Sequence, residues 1–324
     1  MIKHLTRHPS YDYAARTMLS SRAIHRQTPY RHHPKMKNIV TRAVSGTIYV
    51  AVIVSATIAG GYWFFSLTGI LAATAAFEYQ RMVAQAEGHD IPLAIRMTDF
   101  AATMLLWLAV LPAYVYTAAA YPGYEGKAIV ATLIAVTAIM VLYLIIRMAL
   151  ALLQSGPAAF SMAGRSYLGV LYIGVPVALL NALMAHTGSA LVLLMFVMIW
   201  LNDTGAYLVG SALGRHPLCK RLSPKKSQEG FWGGMAFCIL AGAVYASAFA
   251  HNEFLTWATF GIIICLASTA GDLFESMMKR AANVKDSGNL IPGHGGVLDR
   301  IDSLLMAAPA AALFALARLL AQVC

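Results

Sequence analysis

Nine apolar runs separated by polar breaks occupy most of this chain, near residues 43–60, 62–78, 99–120, 128–147, 166–186, 189–210, 232–250, 254–275 and 302–322. Crossing the hydrocarbon core of a bilayer takes about 20 mostly apolar residues per helix, so each run is close to one crossing. Charged residues are 12% of the sequence, about half of what a typical soluble domain carries. The expectation is an all-α polytopic membrane protein with about nine transmembrane helices. Prolines and glycines inside the runs (Pro112, Gly174, Pro176, Gly261, Gly271 and Pro309) are ordinary in membrane helices. The first two runs are parted only by Gly60-Gly61, which implies a tight hairpin or a re-entrant pair. No stretch between runs is large enough for a soluble domain, and there is no internal repeat.

Basic residues orient the bundle. With a cytoplasmic N-terminus, the loops near 79–98, 148–165, 211–231 and 276–301 fall on the cytoplasmic side. Together with their edges and the N-terminal arm they hold 22 of the 24 lysines and arginines; Lys127 and Arg318 lie elsewhere. The positive-inside rule then places every polar, chemistry-bearing loop at the cytoplasmic face, and the active site with them. In a bacterium this would be the inner membrane.

The formal charge of +10 is concentrated in the arm, where residues 1–42 carry nine bases against the single acid Asp12. That distribution argues against nucleic acid as a partner. Residues 1–38 read as a basic, disordered arm with no apolar period. Three readings compete for it: docking on anionic headgroups, an Arg-rich transit peptide, or sequence upstream of a start at Met36. We favour the last, and a chain begun at Met36 that lost all activity would count against it. Residues 39–200 read as N-terminal transmembrane helices and 201–324 as the C-terminal catalytic region. The four cysteines show no CxxC spacing, and Cys238 and Cys265 sit inside apolar runs, as buried free thiols do.

Against this apolar background, charge gathers between Asp272 and Asp302. Five of the fourteen acids (Asp272, Glu275, Asp286, Asp299, Asp302) lie there beside Lys279, Arg280, Lys285 and Arg300. Asp272, Glu275 and Lys279 recur at i, i+3 and i+7, on one helix face, and Asp299 and Asp302 share a face at the start of the last run. Both helix ends meet the same side of the bilayer, so these acids can converge. Asp203 adds a further acid within the sixth run. An intramembrane carboxylate costs roughly 2.5–3.5 kcal/mol on insertion scales; the bland alternative is that each lies near an interface and hydrogen-bonds locally. Converging hard oxygens suit Mg²⁺, which shares its shell with substrate phosphates.

Two loops supply the complement. In DSGNLIPGHGGVLDR, Gly288, Gly293, Gly295 and Gly296 permit close backbone approach, and successive N–H groups in such turns can cradle anions. His294 is a phosphate donor or acid, or a turn histidine capping a carbonyl. In residues 214–234, Arg215, Lys220 and Arg221 read as anchors of a cytoplasmic loop. Lys225 and Lys226 directly follow Ser223-Pro224, where proline pre-sets the backbone, and they point at a triphosphate-sized anion. Ser227 and Glu229 lie beside them. These features describe a membrane enzyme handling a phosphate-rich substrate with a divalent metal.

The stretch from Ser276 to Asp302 resembles the phosphatidate cytidylyltransferase family motif: Ser, two positions, Lys-Arg, four positions, Lys-Asp, then Pro-x-His-Gly-Gly and Asp-Arg-x-Asp, each fixed position being filled. The likeness extends upstream through Asn202-Asp203-Thr204-Gly205-Ala206-Tyr207 and Ser223-Pro224-Lys225-Lys226. One departure is visible, because the family usually has Thr-Trp before Glu-Gly and this chain has Ser227-Gln228. The hydroxyl is kept and the aromatic ring lost, which puts nucleotide stacking there in doubt. The motif-rich part covers about the C-terminal 40% of the chain. The N-terminal runs match in general character alone.

The resemblance implies CTP and phosphatidic acid as substrates, membrane lipids as surroundings, and CDP-diacylglycerol with pyrophosphate as products. It implies Asp272, Asp299 and Asp302 as ligands of Mg²⁺, with a second cation allowed, and Asp272, Asp299, Lys226 and Arg300 as the catalytic set. Asp203, Ser223, Lys225, Lys226, Ser227, Glu229, Lys279, Arg280, Lys285, Asp286, His294, Gly295 and Gly296 would bind substrate. A homodimer is compatible with these features and not required by them. A transporter using Asp203 and Asp272 is the alternative from another class; its acids would sit at the midplane between repeats. A CTP-dependent lipid kinase is the alternative among enzymes, separated by its products. CDP-alcohol phosphotransferases are set aside because their Asp-Gly…Ala-Arg…Gly…Asp…Asp arrangement is missing.

Overall fold

The computed structural model describes residues 35–118, 125–154, 156–250, 252–291 and 295–323. Within them the chain forms eleven α-helices and one small hairpin. Helices α1 (Lys35–Ala59) and α2 (Gly61–Glu87) are joined by the turn at Gly60, where Gly60 and Gly61 both adopt positive φ. Next come α3 (Leu93–Leu108), α4 (Leu111–Ala118) and α5 (Glu125–Gln154). α6 (Pro157–Gly169) runs through a π-turn, Val170–Gly174, into α7 (Val175–Thr187). Pro176 supplies no N–H just beyond that turn, which is where a helix accepts a wider hydrogen-bond ring.

The C-terminal part holds α8 (Ser189–Leu213), the strands β1 (Pro217–Cys219) and β2 (Ser223–Ser227), then α9 (Gln228–Phe249), α10 (Phe254–Ala281) and α11 (Leu298–Val323). α8 packs along α9, α9 along α10 and α10 along α11, and α11 returns to α7. Residues Arg42–Cys324 form one compact unit.

The architecture is that of an all-α polytopic membrane protein. Among the described residues, seven helical stretches are long and apolar enough to cross a membrane: Leu93–Val115, Ile129–Gln154, Ala158–Thr187, Ser189–Leu213, Gln228–Phe249, Phe254–Ala281 and Leu298–Ala321. The first two apolar runs correspond to a shorter apolar helix, Ala43–Ala59, and to α2, which lies outside those seven. Helices outlast the apolar runs because their polar ends stay hydrogen-bonded beyond the hydrocarbon. α10 therefore carries Lys279 and Arg280 in its last turn, and α11 carries Asp299 in its first. Both placements suit the helix dipole. The strands β1 and β2 pair antiparallel, a short element that the all-α expectation did not include.

The core is aliphatic and aromatic, with Phe64, Leu106, Ile173, Met195, Met198, Phe260 and Leu298 almost fully buried. Buried polar groups are mostly satisfied, as a core requires. Asn181 donates to Thr68 Oγ1 (2.9 Å) and accepts from Tyr114 (3.0 Å), tying α7 to α2 and α4. Cys238 and Cys265 are buried free thiols, as expected, and Cys219 is also free. A charged pair lies apart from these: Tyr143 donates to Asp99 Oδ1 (2.9 Å), while Arg147, wholly buried, holds Nε 4.0 Å from the same oxygen.

Candidate functional site

Gly271 sets the distance between α10 and α11. A side chain there would run into the backbone carbonyl of Asp302, so the two helices approach closely beside the acids they carry. Lys279 reaches α11 and carries Glu275 with it, while Asp272, earlier on α10, turns to the hairpin lysine Lys226. Lys279 Nζ lies 2.5 Å from Glu275 Oε2 and 2.7 Å from Asp299 Oδ1, joining the two helices. Glu275 is 1% exposed, and among the described residues its Oε1 has no hydrogen-bond partner. Burying such charges is tolerable because they are paired. Asp302 accepts from the Ser303 N–H (2.6 Å) and feels the charges of Asp272, Lys279 and Asp203.

The second wall comes from α8, α9 and the hairpin. Buried Asn202 donates to Ser268 Oγ (3.1 Å) and Thr269 Oγ1 (3.3 Å) and accepts from Cys265 Sγ (3.1 Å). Those bonds fix α8 against α10 and turn the next residue, Asp203, into a cavity of about 490 Å³. Asp203, Tyr207, Ser223, Lys225, Lys226 and Asp272 line it. This is the size range of small-molecule sites. Lys226 forms an ion pair with Asp272, so hairpin and α10 meet across the cavity.

Ser227 and Glu229 have anchoring positions. Ser227 caps α9 by accepting from Gly230 N (3.1 Å), an ordinary N-cap. Glu229 accepts from the backbone N–H groups of Arg215 (3.1 Å) and His216 (3.2 Å), and its Oε1 is 2.6 Å from His216 Nδ1. It holds the entry to the hairpin, and unlike Ser227 it does not line the cavity.

The loop after α10 is held by two carboxylates. Asp299 Oδ2 accepts from Ser287 N (2.9 Å), Ser287 Oγ (2.9 Å) and Gly296 N (2.8 Å). Glu78, 7% exposed on α2, accepts from Val297 N (3.0 Å), Leu298 N (2.8 Å) and Ser287 Oγ (3.2 Å). The amides of Gly296, Val297 and Leu298, which the glycine-rich sequence offers as an anion cradle, are thus already taken by the protein's own acids. Glu78 was not among the sequence candidates. Its one signal is an acid closing an otherwise apolar run. Gly295 has the positive φ its sequence suggests. Arg280, Lys285 and Asp286 are exposed, and Arg300, also exposed, adds its charge at Asp203. His294 lies outside the described residues.

No group of three or more His, Cys, Asp or Glu among the described residues is arranged to hold a metal ion. The donor chemistry nevertheless fits a hard divalent cation. Asp272 and Asp203 line one cavity, Asp302 lies within their electrostatic reach, and Asp272 is engaged by Lys226 and a long bond from Ser276 (3.4 Å). Asp299 could offer only Oδ1, the oxygen that Lys279 now occupies.

The model of the cytidylyltransferase family matches residues 40–317. A phosphatidate cytidylyltransferase of Bacillus subtilis (strain 168) is 29% identical over 279 residues, covering 85% of this chain and 96% of that protein. Proteins of the same name from Staphylococcus aureus (strain COL) and Synechocystis sp. are 44% and 48% identical over 124 residues, 38% of this chain. In those two, the matched part spans about half of the relative's length, 47% and 42%.

Proposed function

The chain belongs to the cytidylyltransferase family, and from that premise we propose that it transfers the cytidylyl group of CTP to phosphatidic acid, giving CDP-diacylglycerol and pyrophosphate. The observation that carries this reading is the cavity in which Asp203, Asp272 and the Lys225-Lys226 hairpin face one another at the ends of membrane helices.

A phosphate oxygen of phosphatidate attacks the α-phosphorus of CTP. The new P–O bond forms as the bond from the α-phosphorus to the bridging oxygen breaks, and pyrophosphate leaves with that oxygen. The nucleophile is already an anion, so no strong general base is required. Positioning and charge stabilisation carry such a transfer. Lys225 and Lys226 bind the triphosphate, Lys226 exchanging Asp272 for a phosphate oxygen. Arg300, Arg280 and Lys285 add positive charge at the same end. Lys279 holds Asp299 and Glu275 in place, and Ser223 and Ser227 frame the hairpin end of the cavity.

Asp272, with Asp203, Asp302 and Oδ1 of Asp299, would hold Mg²⁺. Such an ion would mask the repulsion between the lipid phosphate and the triphosphate, and a second cation is compatible with the number of acids. The lost aromatic at Gln228 is offset by Tyr207 and Phe231, both of which line the cavity.

Nine helices crossing the bilayer, a cytoplasmic N-terminus and a site at the cytoplasmic face, open to CTP, complete the reading; the distribution of bases supports it. Lipid would enter laterally between helices. The test is radiolabelled CTP with phosphatidate and Mg²⁺, scored for a chloroform-soluble cytidine product. Its formation with pyrophosphate supports the reading. CDP with a newly phosphorylated lipid would replace it with a kinase, and CTP-independent uptake in proteoliposomes would replace it with a transporter.

A further inference from the structure

We infer that Glu78, on α2, is a positioning residue for cytidylyl transfer: it holds the loop between α10 and α11 so that Asp299 meets Lys279. The inference rests on the reading above for its kinetic part and on geometry alone for the rest. Glu78 lies 209 to 220 residues from the groups it binds. Among the described residues no lysine or arginine forms an ion pair with it, so its positive counterpart is the N-terminus of α11, where two free N–H groups point at its oxygens.

Space has been left for this carboxylate. A side chain on Gly288 or on Gly296 would collide with it, so both glycines pack directly on Glu78. Ser287 is the joint of the arrangement. Its hydroxyl contacts Glu78 Oε2 (3.2 Å) and Asp299 Oδ2 (2.9 Å) and accepts from Asp299 N (3.3 Å). A hydroxyl has one proton, so it can serve only one carboxylate at a time. The second carboxylate stays in place because its remaining amides hold it. Two acids, one from the N-terminal helices and one from the motif-bearing helix, grip the same loop from opposite sides.

Replacing the Glu78 carboxylate by an amide leaves one of the two buried N–H groups at the start of α11 facing a donor in place of an acceptor. The first turn of that helix carries Asp299, so its displacement moves the Lys279–Asp299 contact. The hairpin lysines, on another part of the wall, keep their positions. A defect in Glu78 therefore acts chiefly on turnover and has a smaller effect on CTP binding, which Lys225 and Lys226 still carry.

The experiment uses the full chain in detergent with Glu78→Gln, Glu78→Asp and, on the other side of the same bonds, Ser287→Ala. Gln sets an NH₂ group against backbone donors, and Asp is one methylene too short to reach both amides. The expected result is a fall in kcat of about tenfold or more per folded protein, with KM for CTP within about twofold. Trypsin should also cut after exposed Lys285 several-fold faster in the resting variants than in the wild type. Unchanged kcat per folded protein would reduce Glu78 to a stabilising cap and overturn the inference. A raised KM with unchanged kcat would overturn it as well, as would equal cleavage rates. If the wild type forms no CDP-lipid, the proposed function fails, and cleavage after Lys285 still decides the role of Glu78.

Discussion

Lys226 on β2 and Asp272 on α10 form an ion pair across the cavity that both of them line. In the proposed reaction each partner has a second role, the lysine toward phosphate and the carboxylate toward a cation. A phosphate entering there would compete with Asp272 for Lys226, and a divalent ion would compete with Lys226 for Asp272. Neither ligand alone leaves both groups paired, so CTP and the cation should bind with mutual help.

That exchange makes Lys226→Ala a test of CTP binding. A hydrogen bond to a charged group is worth about 1.5–3 kcal/mol, so the apparent KM for CTP should rise about ten- to a hundredfold, with a smaller change in kcat. Steady-state kinetics with varied CTP measure this. An unchanged KM would remove Lys226 from the triphosphate site. The companion change, Asp272→Asn, should lower CDP-lipid formation by at least about a hundredfold, while size-exclusion profiles in detergent stay those of the wild type.

Asp299→Asn should be equally inactive for a different reason. Asn can still accept from Ser287 and Gly296 through one oxygen, but its NH₂ would then face Lys279 Nζ, now 2.7 Å from Oδ1. The charge-assisted bond becomes a donor facing a donor. Lys279 would remain with Glu275 alone, and α10 would lose its polar tie to α11. Near wild-type turnover in this variant would contradict both the metal proposal and the tie.

Much of this site could be read before the structure because its parts are local in sequence. The i, i+3, i+7 spacing put Asp272, Glu275 and Lys279 on one face, and the ends of two consecutive helices had to meet. Glu78 was out of reach because its partners are backbone amides more than 200 residues away, and no motif marks an amide. Glu229 matched a motif and Ser227 kept its hydroxyl, yet their bonds run to Gly230, Arg215 and His216, contacts that residue identity does not reveal. The hairpin was hidden in a stretch of charge too short for strand periodicity. The helix ends ran past the apolar runs because hydropathy reports the thickness of lipid, whereas hydrogen bonding continues into water.

Gly271→Ala tests the close approach of α10 and α11. The added methyl would meet the carbonyl of Asp302, which is backbone and cannot rotate away. Overpacking of this kind costs about 1–3 kcal/mol, and here it also widens the gap between Asp272 and Asp302. Thermal unfolding in detergent should shift down by several degrees, and kcat should fall more than the folded fraction does. A variant with wild-type stability and turnover would show that the helices can separate without harm.

Asp99 and Arg147 give the last prediction, because they are buried charges outside the cavity. The two halves of the pair are unequally supported. Asp99 keeps hydrogen bonds from Tyr143 and Ser166, while the Arg147 guanidinium is fully buried and has no hydrogen-bond partner among the described residues. Asp99→Asn therefore strands a cation in an apolar bundle, and breaking a buried pair in this way costs about 3–5 kcal/mol. Arg147→Met leaves a carboxylate that still has donors and can take up a proton, so it should cost less. The double variant removes both charges and should regain most of the loss, since a buried pair exchanged for apolar groups is often neutral. Melting temperatures of the three variants and the wild type, compared as a double-mutant cycle, measure the coupling. Turnover per folded protein should stay within about twofold of wild type in all three. Additive losses would mean that the 4.0 Å contact carries no energy.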